Sequence, residues 1–555
     1  MRSVWGLLLM PILGATMGCD ALWRSFTHPN PENCQPDPAL CDDGWECNLQ
    51  SEVCERSADL PTLSSYTLAQ QAEILASDGA AFDMFGSAVS LFGDTVLIGS
   101  PAAAIGGQSS SGAAYVFARD PDLGTWSNQA KLVASDFGTG DLFGSSLALY
   151  GDTAIVGAYA ADFGGNGGVG AAYVFVRSSG TPAFVQQAML FASDRTSGDV
   201  FGSSVALAGD TALIGARLVD AGGQKDAGAA YIFTRQSGGS TWVEQVPRLT
   251  AGDGHAYDMF GYAVALSGDT ALIGAPASMT TDGAAYVFAR NPSSGLWTQQ
   301  AKLVSSDHKP GDLFGYAVAL DGDTALIGAP NADDGSKSAA GAAYVFVRDA
   351  ASGSWTEQVR LLAADSTTWN GFGSQVALNE DWAAISAPVA TVNGNFSAGT
   401  VYLLQRPAGI AAGASAFQQR LSATDAASMD RAGVGFGLSG DTVAVGAPAK
   451  DSGSNMDVGA VYIFQEYKHN GSPCTAATQC LTGFCVDGVC CDSACGGGDD
   501  TDCQACSAAA GALISSASDG TCRPSRPGRL CRASRGGADA PEGCDGQSLS
   551  CPEDR

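Results

Sequence analysis

The chain has 555 residues, with 57 acidic side chains against 28 lysines and arginines and a net charge of −29. This balance argues against nucleic acid as a partner, because phosphates demand Lys and Arg, and it disfavours electrostatic docking on anionic lipid. The length allows a large core, and 72 glycines between short apolar runs are typical of an all-β protein with many tight turns.

The first residues have the pattern of an export signal. Arg2 precedes an apolar run, residues 4–15, that is too short to span a bilayer as a mature helix. The run leads to the tetrapeptide TMGC, which resembles the lipobox of bacterial lipoproteins, although Thr16 stands where that motif usually has Leu. We therefore predict a signal peptide over residues 1–18, with Cys19 lipidated as the mature N-terminus. Ordinary cleavage without a lipid, giving a secreted protein, is the alternative.

Both interpretations place the protein outside the cytoplasm. With a lipid it is expected in the cell envelope or on the outer surface, and the lipid anchor is then its only contact with a membrane.

The distribution of the 17 cysteines supports export. Apart from the lipobox cysteine they form two even groups, four in residues 19–65, a segment that ends in a linker, and twelve in the tail, residues 468–555. Even numbers in short polar stretches predict disulfides made in an oxidising compartment, while the spacing leaves the pairing open. The spacing of Cys503 and Cys506 also fits zinc, but no histidine follows His469, so zinc is the weaker alternative. The cysteines predicted to form disulfides are Cys34, Cys41, Cys47, Cys54, Cys474, Cys480, Cys485, Cys490, Cys491, Cys495, Cys503, Cys506, Cys522, Cys531, Cys544 and Cys551.

Residues 66–467 contain seven copies of one motif, roughly F-G-(S/Y)-x-V-A-L-x-G-D-T-A-L-I-G-A-P, then a variable loop, then G-A-A-Y-V-F. The copies recur every 54 to 60 residues, and a fixed period of short strand-like pieces indicates a radial or stacked repeat architecture. Each copy predicts four antiparallel strands, a to d, which in the fourth copy are residues 260–266, 270–275, 284–289 and 297–304. The leading residues of the copies are Phe85, Phe143, Phe201, Phe260, Phe314, Phe372 and Ala432.

The two ends of this region predict that the copies close into a ring. The seventh copy has strands a to c and reaches Phe464, but no strand d follows. Residues 68–78, ahead of the first copy, closely match the strand d sequence of residues 297–307. This orphan strand completes the seventh blade only if that blade lies beside the first, because an open array leaves both ends unpaired. We therefore predict an all-β, seven-bladed propeller of four-stranded antiparallel blades, closed by an N-terminal strand and flanked by small disulfide-rich modules.

The repeats resemble the FG-GAP family, whose best-known members form the seven-bladed propeller of integrin α subunits. Phe-Gly at the start of the copies and Gly-Ala-Pro at 274–276, 328–330 and 446–448 carry the resemblance, which covers about residues 68–464. It implies the fold and leaves the function open, because propellers host both binding and catalysis. Integrin-type repeats often insert an Asp-rich calcium loop between strands a and b, where this chain has only Gly-Asp-Thr, as at Asp269. One Asp cannot supply the roughly six to eight oxygens of a calcium site, so we predict no cofactor and leave calcium as a weaker possibility.

A second acidic set occupies the connections from strand d to strand a, which read Asp-x4-Asp in six copies and Asp365/Asn370 in the remaining one. The two carboxylates can share a cation if carbonyl oxygens join them, or each can accept backbone N–H bonds and fix the turn. Because every blade repeats the pair, we favour the turn role. The pairs that remain candidates for a metal are Asp78/Asp83, Asp136/Asp141, Asp194/Asp199, Asp253/Asp258, Asp307/Asp312 and Asp425/Asp430.

Other recurrent residues are predicted to be structural. One tyrosine occupies the same position of strand c in every copy, as at Tyr286, and is expected to pack in the core. An arginine ends strand c in six copies, as at Arg290, and is expected to form a salt bridge or protect a sheet edge. His255 and His308 fall in the d–a connections of neighbouring copies and are expected to be surface turn residues.

The loops indicate where a partner binds. Antiparallel strands put the a–b hairpins and c–d loops on one face and the b–c loops and d–a turns on the other. The b–c loops vary in length and chemistry on a fixed frame, so we expect the binding site on the b–c face. The c–d loops, such as residues 407–416, are the competing choice. The candidate binding residues are Asp162, Asp220, Asp282, Asn331, Asp333, Asp334 and Asp451.

The chain has four histidines and no nucleophile elbow, phosphate loop or paired-histidine metal motif. We therefore predict that it is not an enzyme but a surface-anchored binding or adhesion protein for an extracellular protein or glycan. A secreted polysaccharide-acting enzyme, or an accessory subunit of one, is the alternative, because abundant carboxylates can hide a catalytic pair. A purely structural envelope protein is the third possibility.

Overall fold

The computed structural model describes residues 68–466, apart from residues 121–123, 179–182, 237–238, 278–281, 380–381 and 406–417, together with the backbone of short strand segments outside that range. The predicted signal peptide, Cys19 and the side chains of the predicted disulfide cysteines lie outside the described residues. The chain divides into two units, residues 1–67 and residues 68–555. In the first, Trp45–Asn48 pairs with Val53–Arg56. In the tail, the paired segments are Cys485–Val486 with Val489–Cys490, Gln504–Ala505 with Arg523–Pro524, and Leu530–Arg532 with Glu542–Gly543.

The described repeat region forms seven four-stranded antiparallel sheets, the blades. Strand β1 (Leu68–Ile74) precedes the first blade. Blade 1 has β2 (Val89–Phe92), β3 (Thr95–Ser100), β4 (Ala113–Arg119) and β5 (Trp126–Leu132). Blade 2 has β6 (Ser146–Tyr150), β7 (Thr153–Ala158), β8 (Ala171–Arg177) and β9 (Phe184–Leu190). Blade 3 has β10 (Ser204–Ala208), β11 (Thr211–Ala216), β12 (Ala229–Arg235) and β13 (Trp242–Leu249). Blade 4 has β14 (Ala263–Ser267), β15 (Thr270–Ala275), β16 (Ala284–Arg290) and β17 (Trp297–Leu303).

The remaining blades follow the same order. Blade 5 has β18 (Ala317–Asp321), β19 (Thr324–Ala329), β20 (Ala342–Arg348) and β21 (Trp355–Leu361). Blade 6 has β22 (Val376–Leu378), β23 (Trp382–Ala387), β24 (Thr400–Gln405) and β25 (Gln418–Leu421). Blade 7 has β26 (Gly435–Ser439), β27 (Thr442–Ala447) and β28 (Ala460–Glu466), with β1 as its fourth strand. No helix of the described residues has the length and hydropathy needed to cross a bilayer.

The ring closes as the sequence predicts. Strand β1 pairs antiparallel with β28, in a register that runs from Leu68 opposite Glu466 to Ile74 opposite Val461. Each strand a neighbours the strand a of the next blade, and β26 of blade 7 neighbours β2 of blade 1. The strands a are therefore the innermost strands of a closed seven-bladed propeller.

The leading phenylalanine has a different place from the one predicted. Phe260 was predicted to start strand a, but β14 begins three residues later, because Gly261 has a φ of 89° and turns the chain out of extended geometry. Phe260 instead forms a parallel backbone bridge to Gly228 of blade 3. Its buried ring packs edge-on against Tyr286 of blade 4, with ring centroids 5.5 Å apart. The Phe-Gly pair thus joins two blades.

The glycine of the Gly-Ala-Pro motif allows neighbouring blades to approach closely. A Cβ atom on Gly274, in strand b of blade 4, would lie 2.0 Å from the carbonyl oxygen of Gly315, which follows the leading phenylalanine of blade 5. No side chain fits in that space. The two glycines of the motif therefore belong to one contact, made at the seam between blades.

Candidate binding face

Backbone hydrogen bonds tie the b–c loop of one blade to the d–a turn that precedes the next blade. At the junction of blades 6 and 7, the N–H groups of Met429, Arg431 and Ala432 donate to the carbonyls of Phe396, Ser397 and Ala398, at 2.9, 3.1 and 2.8 Å. Equivalent bonds occur at the other junctions, except between blades 4 and 5, where the short b–c loop lies partly outside the described residues. The b–c face is therefore a fixed surface, with each loop held by its neighbour.

Four of the candidate binding aspartates hold the b–c loops in shape. One carboxylate oxygen of Asp162, Asp220 and Asp451 accepts the backbone N–H six residues further along, at 2.9, 2.9 and 3.0 Å. Asp333 does the same for Ala339 at 3.1 Å. Loops that differ in sequence thus share one hairpin conformation, with an isolated bridge at the tip such as that between Ser452 and Asn455.

The other three candidates also have partners inside the protein. The side-chain amide of Asn331 donates to the Gly311 carbonyl at 3.1 Å. Asp334 accepts the Ser366 hydroxyl at 2.5 Å and lies 3.2 Å from the Lys337 ammonium. A carboxylate oxygen of Asp282 lies 3.7 Å from Nε2 of His308. A role for any of the seven residues in ligand binding stays a prediction.

The two aspartates of each d–a turn have separate partners. In the turn before blade 4, Asp253 accepts the Tyr286 hydroxyl at 3.0 Å and the Lys302 ammonium at 2.6 Å, so the first Asp joins strands c and d of the following blade. Asp258 accepts the His255 backbone N–H at 2.8 Å and fixes the turn itself. Within the described residues, no group of three or more His, Cys, Asp or Glu side chains has the arrangement of a metal site. The remaining tyrosine bonds to the first Asp are Tyr115–Asp78, Tyr173–Asp136, Tyr231–Asp194, Tyr344–Asp307 and Tyr402–Asp365.

Burial and pairing move the pKa values of the turn carboxyls in opposite directions. Burial raises the pKa of five second-position carboxyls, those of Asp83, Asp141, Asp199, Asp312 and Asp430. Burial also acts on Asp253, but the hydrogen bonds from Lys302 and Tyr286 outweigh it and lower its pKa. The tyrosine itself stays protonated, because burial and the adjacent carboxylate raise the pKa of Tyr286 far above neutrality.

The salt bridges predicted for the strand c arginines are present. Arg290 lies 3.3 Å from Asp269, the single Asp of the a–b hairpin. Arg235 lies 2.6 Å from the equivalent Asp210 and also donates to the Thr153 hydroxyl of the preceding blade at 3.1 Å. This aspartate therefore serves an ion pair within its own blade.

The structure separates the two histidines of the repeat region. His255 lies 3.9 Å from Asp258 in its own turn and is largely exposed. Nδ1 of His308 lies 2.9 Å from the Ser305 carbonyl, and Nε2 faces Asp282. Both are turn residues, as predicted.

Large side chains occupy a backbone position on the b–c face that favours glycine. The residue just before the second Asp or Asn of each d–a turn has a φ between 63° and 89° in all seven blades. Glycine adopts this left-handed conformation without strain, whereas a bulky residue is an outlier there. Three blades have glycine, namely Gly140, Gly198 and Gly311. The other four have Phe82, Tyr257, Trp369 and Met429.

Trp369, Met429 and Phe82 lie at three successive junctions, those of blades 5 and 6, 6 and 7, and 7 and 1. Each is hydrogen-bonded through its backbone to the neighbouring b–c loop. The N–H of Phe82 donates to the carbonyl of Met456 at 2.8 Å, and Met429 has the same bond to Phe396, as described above. At the junction of blades 1 and 2 the equivalent pair is Ser109 and Gly140. The exposed fractions of the large side chains lie between 40% and 68%. We call them the apolar arc, which comprises Phe82, Met84, Trp369, Phe396, Met429 and Met456.

The apolar arc was not predicted from the sequence, because the b–c loops differ most visibly in length and acidic residues. The available signal was the residue before each second Asp or Asn, where Phe, Trp and Met replace the Gly of other copies. Aligning the copies on that Asp would have shown it.

The family model for the FG-GAP repeat matches seven segments that together span more than half of the chain: residues 68–117, 126–175, 184–233, 242–288, 297–346, 355–404 and 416–464. This chain belongs to the FG-GAP repeat family. Each matched segment of this FG-GAP propeller starts at strand d of one blade and ends in strand c of the next, so the family's repeat crosses the junctions described above.

No curated protein sequence matches the FG-GAP propeller. Among solved structures it is similar to a proposed 6-phosphogluconolactonase from Bacteroides uniformis, with 12% identity, 61% of this chain and 85% of that chain covered, and a TM-score of 0.41. It is also similar to the periplasmic gluconolactonase of Pseudomonas aeruginosa, with 13% identity, coverage of 62% and 86%, and a TM-score of 0.41. For a protein from Lactobacillus plantarum the values are 14%, 64%, 90% and 0.43.

These similarities correct one expectation. The chain was predicted not to be an enzyme, yet two of the solved structures that it resembles carry lactonase names. That prediction is therefore wrong. It rested on the absence of catalytic sequence motifs, and propellers host catalysis as well as binding. At such low identity and TM-score the likeness gives this chain no activity.

Proposed function

We propose that this FG-GAP propeller is an exported binding protein that holds an extracellular protein partner against the apolar arc of its b–c face. The observation that carries the proposal is the run of exposed large side chains at three successive junctions, at a position where three other blades have glycine. Exposed apolar side chains grouped on one face of a protein often mark an interaction site. The predicted signal peptide and the lipobox-like sequence ending at Cys19 support a location at which such a partner is extracellular.

The backbone at the apolar arc gives a second line of support. A bulky residue with positive φ costs about 1 kcal/mol relative to glycine, and this cost recurs at Phe82, Trp369 and Met429. The same turns in other blades show that glycine satisfies the fold. Strain that the fold does not need is typical of functional sites, and we therefore attribute it to recognition.

The chemistry of the apolar arc favours a protein over a glycan. Trp369, Phe396 and Phe82 offer the large apolar contacts that dominate protein interfaces. The three methionines, Met84, Met429 and Met456, add flexible side chains that adapt to an uneven apolar partner. A glycan site instead needs several converging polar groups in a pocket. The polar groups described on this face are backbone pairs and loop-fixing carboxylates, which already have partners inside the protein.

The test is a triple variant that restores the glycine of the other blades, Phe82→Gly, Trp369→Gly and Met429→Gly. We expect its free energy of unfolding to stay within about 1 kcal/mol of the wild type, because relief of the positive-φ strain at the three sites is offset by the greater conformational entropy of glycine in the unfolded chain. Binding to a protein on a panel of extracellular proteins should weaken at least about tenfold, because the largest exposed side chains of the apolar arc are removed. Biolayer interferometry measures binding, and urea unfolding measures stability.

Val185→Ser is the matched control, because Val185 is also exposed and apolar but lies on strand d of blade 2, away from the apolar arc. It should leave binding unchanged. Retained binding by the triple-glycine variant, or binding confined to a glycan array, contradicts the proposal.

A further inference from the structure

Two positions on the inner rim of the b–c face break the repeat in one sector of the ring. The residue that follows strand b is proline in five blades, but it is Tyr159 in blade 2 and Arg217 in blade 3. The residue that follows the leading Phe-Gly is serine in four blades, but it is Tyr262 in blade 4 and Tyr316 in blade 5. The strands a are innermost, so these residues lie close to the mouth of the central channel.

The four residues meet, although they come from four successive blades. The guanidinium carbon of Arg217 lies 5.4 Å from the ring centroid of Tyr262 and 5.6 Å from that of Tyr159. The rings of Tyr262 and Tyr316 lie 4.8 Å apart with an angle of 42° between their planes. All four side chains are partly buried. An arginine between two aromatic rings is thereby held in place.

Arg217 differs from the repeated cations of the blades, which form ion pairs with aspartates. The strand c arginines pair with hairpin aspartates, and the strand d cations pair with turn aspartates, as in Arg290–Asp269 and Lys302–Asp253. Among the described residues, Arg217 has the two tyrosine rings as its contacts and no carboxylate within ion-pair distance. In a chain with 57 acidic and 28 basic residues, such a guanidinium is a distinct feature.

We propose that Tyr159, Arg217 and Tyr262 form a site for a small cyclic ligand that carries one carboxylate, of the hexuronic acid class. The planar fork of Arg217 binds a carboxylate through two parallel N–H···O bonds. Tyr262, whose hydroxyl bonds Tyr316, holds the guanidinium, and the ring and hydroxyl of Tyr159 offer an apolar face and a polar partner to a ring-shaped ligand. The net charge of −29 repels each additional negative charge, so a single carboxylate is favoured over a phosphate or a polyanion.

This site is independent of the apolar arc. It uses rim positions next to the central channel in blades 2 to 5, whereas the apolar arc lies at the junctions from blade 5 round to blade 1. A failure of either proposal therefore leaves the other standing.

The experiment titrates the purified chain with sodium glucuronate by isothermal calorimetry, with glucose as the probe without a carboxylate and acetate as the probe without a ring. We expect saturable binding of glucuronate and at least about tenfold weaker binding of both other probes. Arg217→Pro, which restores the residue of five other blades, should weaken glucuronate binding at least about tenfold. Tyr262→Ser, which restores the serine of four other blades, should weaken it severalfold.

Arg195→Gln is the matched control. Arg195 also lies over two aromatic rings, those of Phe163 and Phe191, at 4.5 and 4.3 Å from their centroids. It belongs to the d–a turn between blades 2 and 3 and does not contact Tyr159 or Tyr262 in the described contacts. It should bind glucuronate as the wild type does. Absent saturable binding by the wild type, equal affinity for glucose, or equal losses in Arg195→Gln and Tyr262→Ser overturns the proposal. If Arg217→Pro fails to fold by circular dichroism, Arg217→Gln and Tyr262→Ser decide it by the same criteria.

Discussion

The two aspartates of each d–a turn show how one short motif serves two purposes. The first is held by a tyrosine of strand c and, in most blades, by a cation of strand d, as in Asp253 with Tyr286 and Lys302. The second is buried and fixes its own turn, as Asp141 does by accepting the Gly138 N–H at 2.6 Å. The natural Asn370 at the second position of one turn indicates that this role needs an acceptor oxygen and not a charge.

Asp141→Asn should therefore stabilise the protein at neutral pH. Burial, with Asp136 and Asp162 nearby, raises the pKa of Asp141 above its ordinary value of 3.8. Its folded pKa exceeds its unfolded pKa, so its contribution is fully present below the unfolded pKa and is lost as the pH rises through the folded pKa. Asparagine keeps the acceptor oxygen without the buried charge. We expect a gain of the order of 1 kcal/mol at pH 7 that disappears towards pH 4, measured by urea unfolding across that range.

Asp136→Asn is the comparison for this prediction. Asp136 accepts the Tyr173 hydroxyl at 2.9 Å, so its replacement should weaken that bond and lower stability at pH 7. A loss of stability in Asp141→Asn at pH 7 that shrinks towards pH 4 would show instead that the turn needs the charge of Asp141.

The junction between blades is the element that gives the ring its geometry. At each described bridge, a glycine just before strand c meets the backbone of the residue that leads the next blade, as Gly459 meets Phe85. Gly459 has a φ of 88°, and a Cβ atom placed on it would lie 2.0 Å from the carbonyl oxygen of Phe85. The sequence predicts that blade 7 lies beside blade 1, but it does not show that Gly459 contacts the backbone of Phe85.

Gly459→Ala should lower the free energy of unfolding by about 3 kcal/mol, because it adds a steric clash at the seam to the strain of a positive φ. Gly453→Ala isolates the strain, since Gly453 has a φ of 62° and nothing within 4 Å of an added Cβ. We expect a loss of about 1 kcal/mol for this second variant, by urea unfolding of both proteins at one pH. Equal losses would mean that the Phe85–Gly459 contact adapts to a side chain.

The closed ring could be predicted from sequence because its decisive evidence is a copy. The segment at residues 68–74 repeats strand d closely enough to be recognised at the wrong end of the chain, and the structure pairs it with β28. The place of Phe260 could not be predicted, because an apolar residue beside a strand shows burial but not which blade its backbone joins. The apolar arc and the Arg217 cluster were missed because both depend on departures from the repeat, which periodicity averages away.

The whole molecule depends on β1, which belongs to the last blade although it comes first in the described repeat region. Leu68 and Ile74 of β1 are buried, and the backbone N–H of Leu68 donates to the Gln419 side chain of blade 6 at 2.9 Å. The strand therefore contacts both the blade that it completes and the blade before it. Such contacts between distant parts of the chain make the ring a single cooperative structure.

A chain that begins at residue 76 should be less stable than one that begins at residue 66. Burial of Leu68 and Ile74 contributes about 1.5–3 kcal/mol each, and without β1 the edge of β28 is unpaired and free to join another chain. We expect a lower midpoint of urea unfolding and association seen by size-exclusion chromatography. A synthetic peptide of residues 66–76 should reverse both effects by restoring the fourth strand. Because both chains lack the preceding cysteine-rich segment, any difference belongs to the strand, and identical midpoints would show that three strands suffice for blade 7.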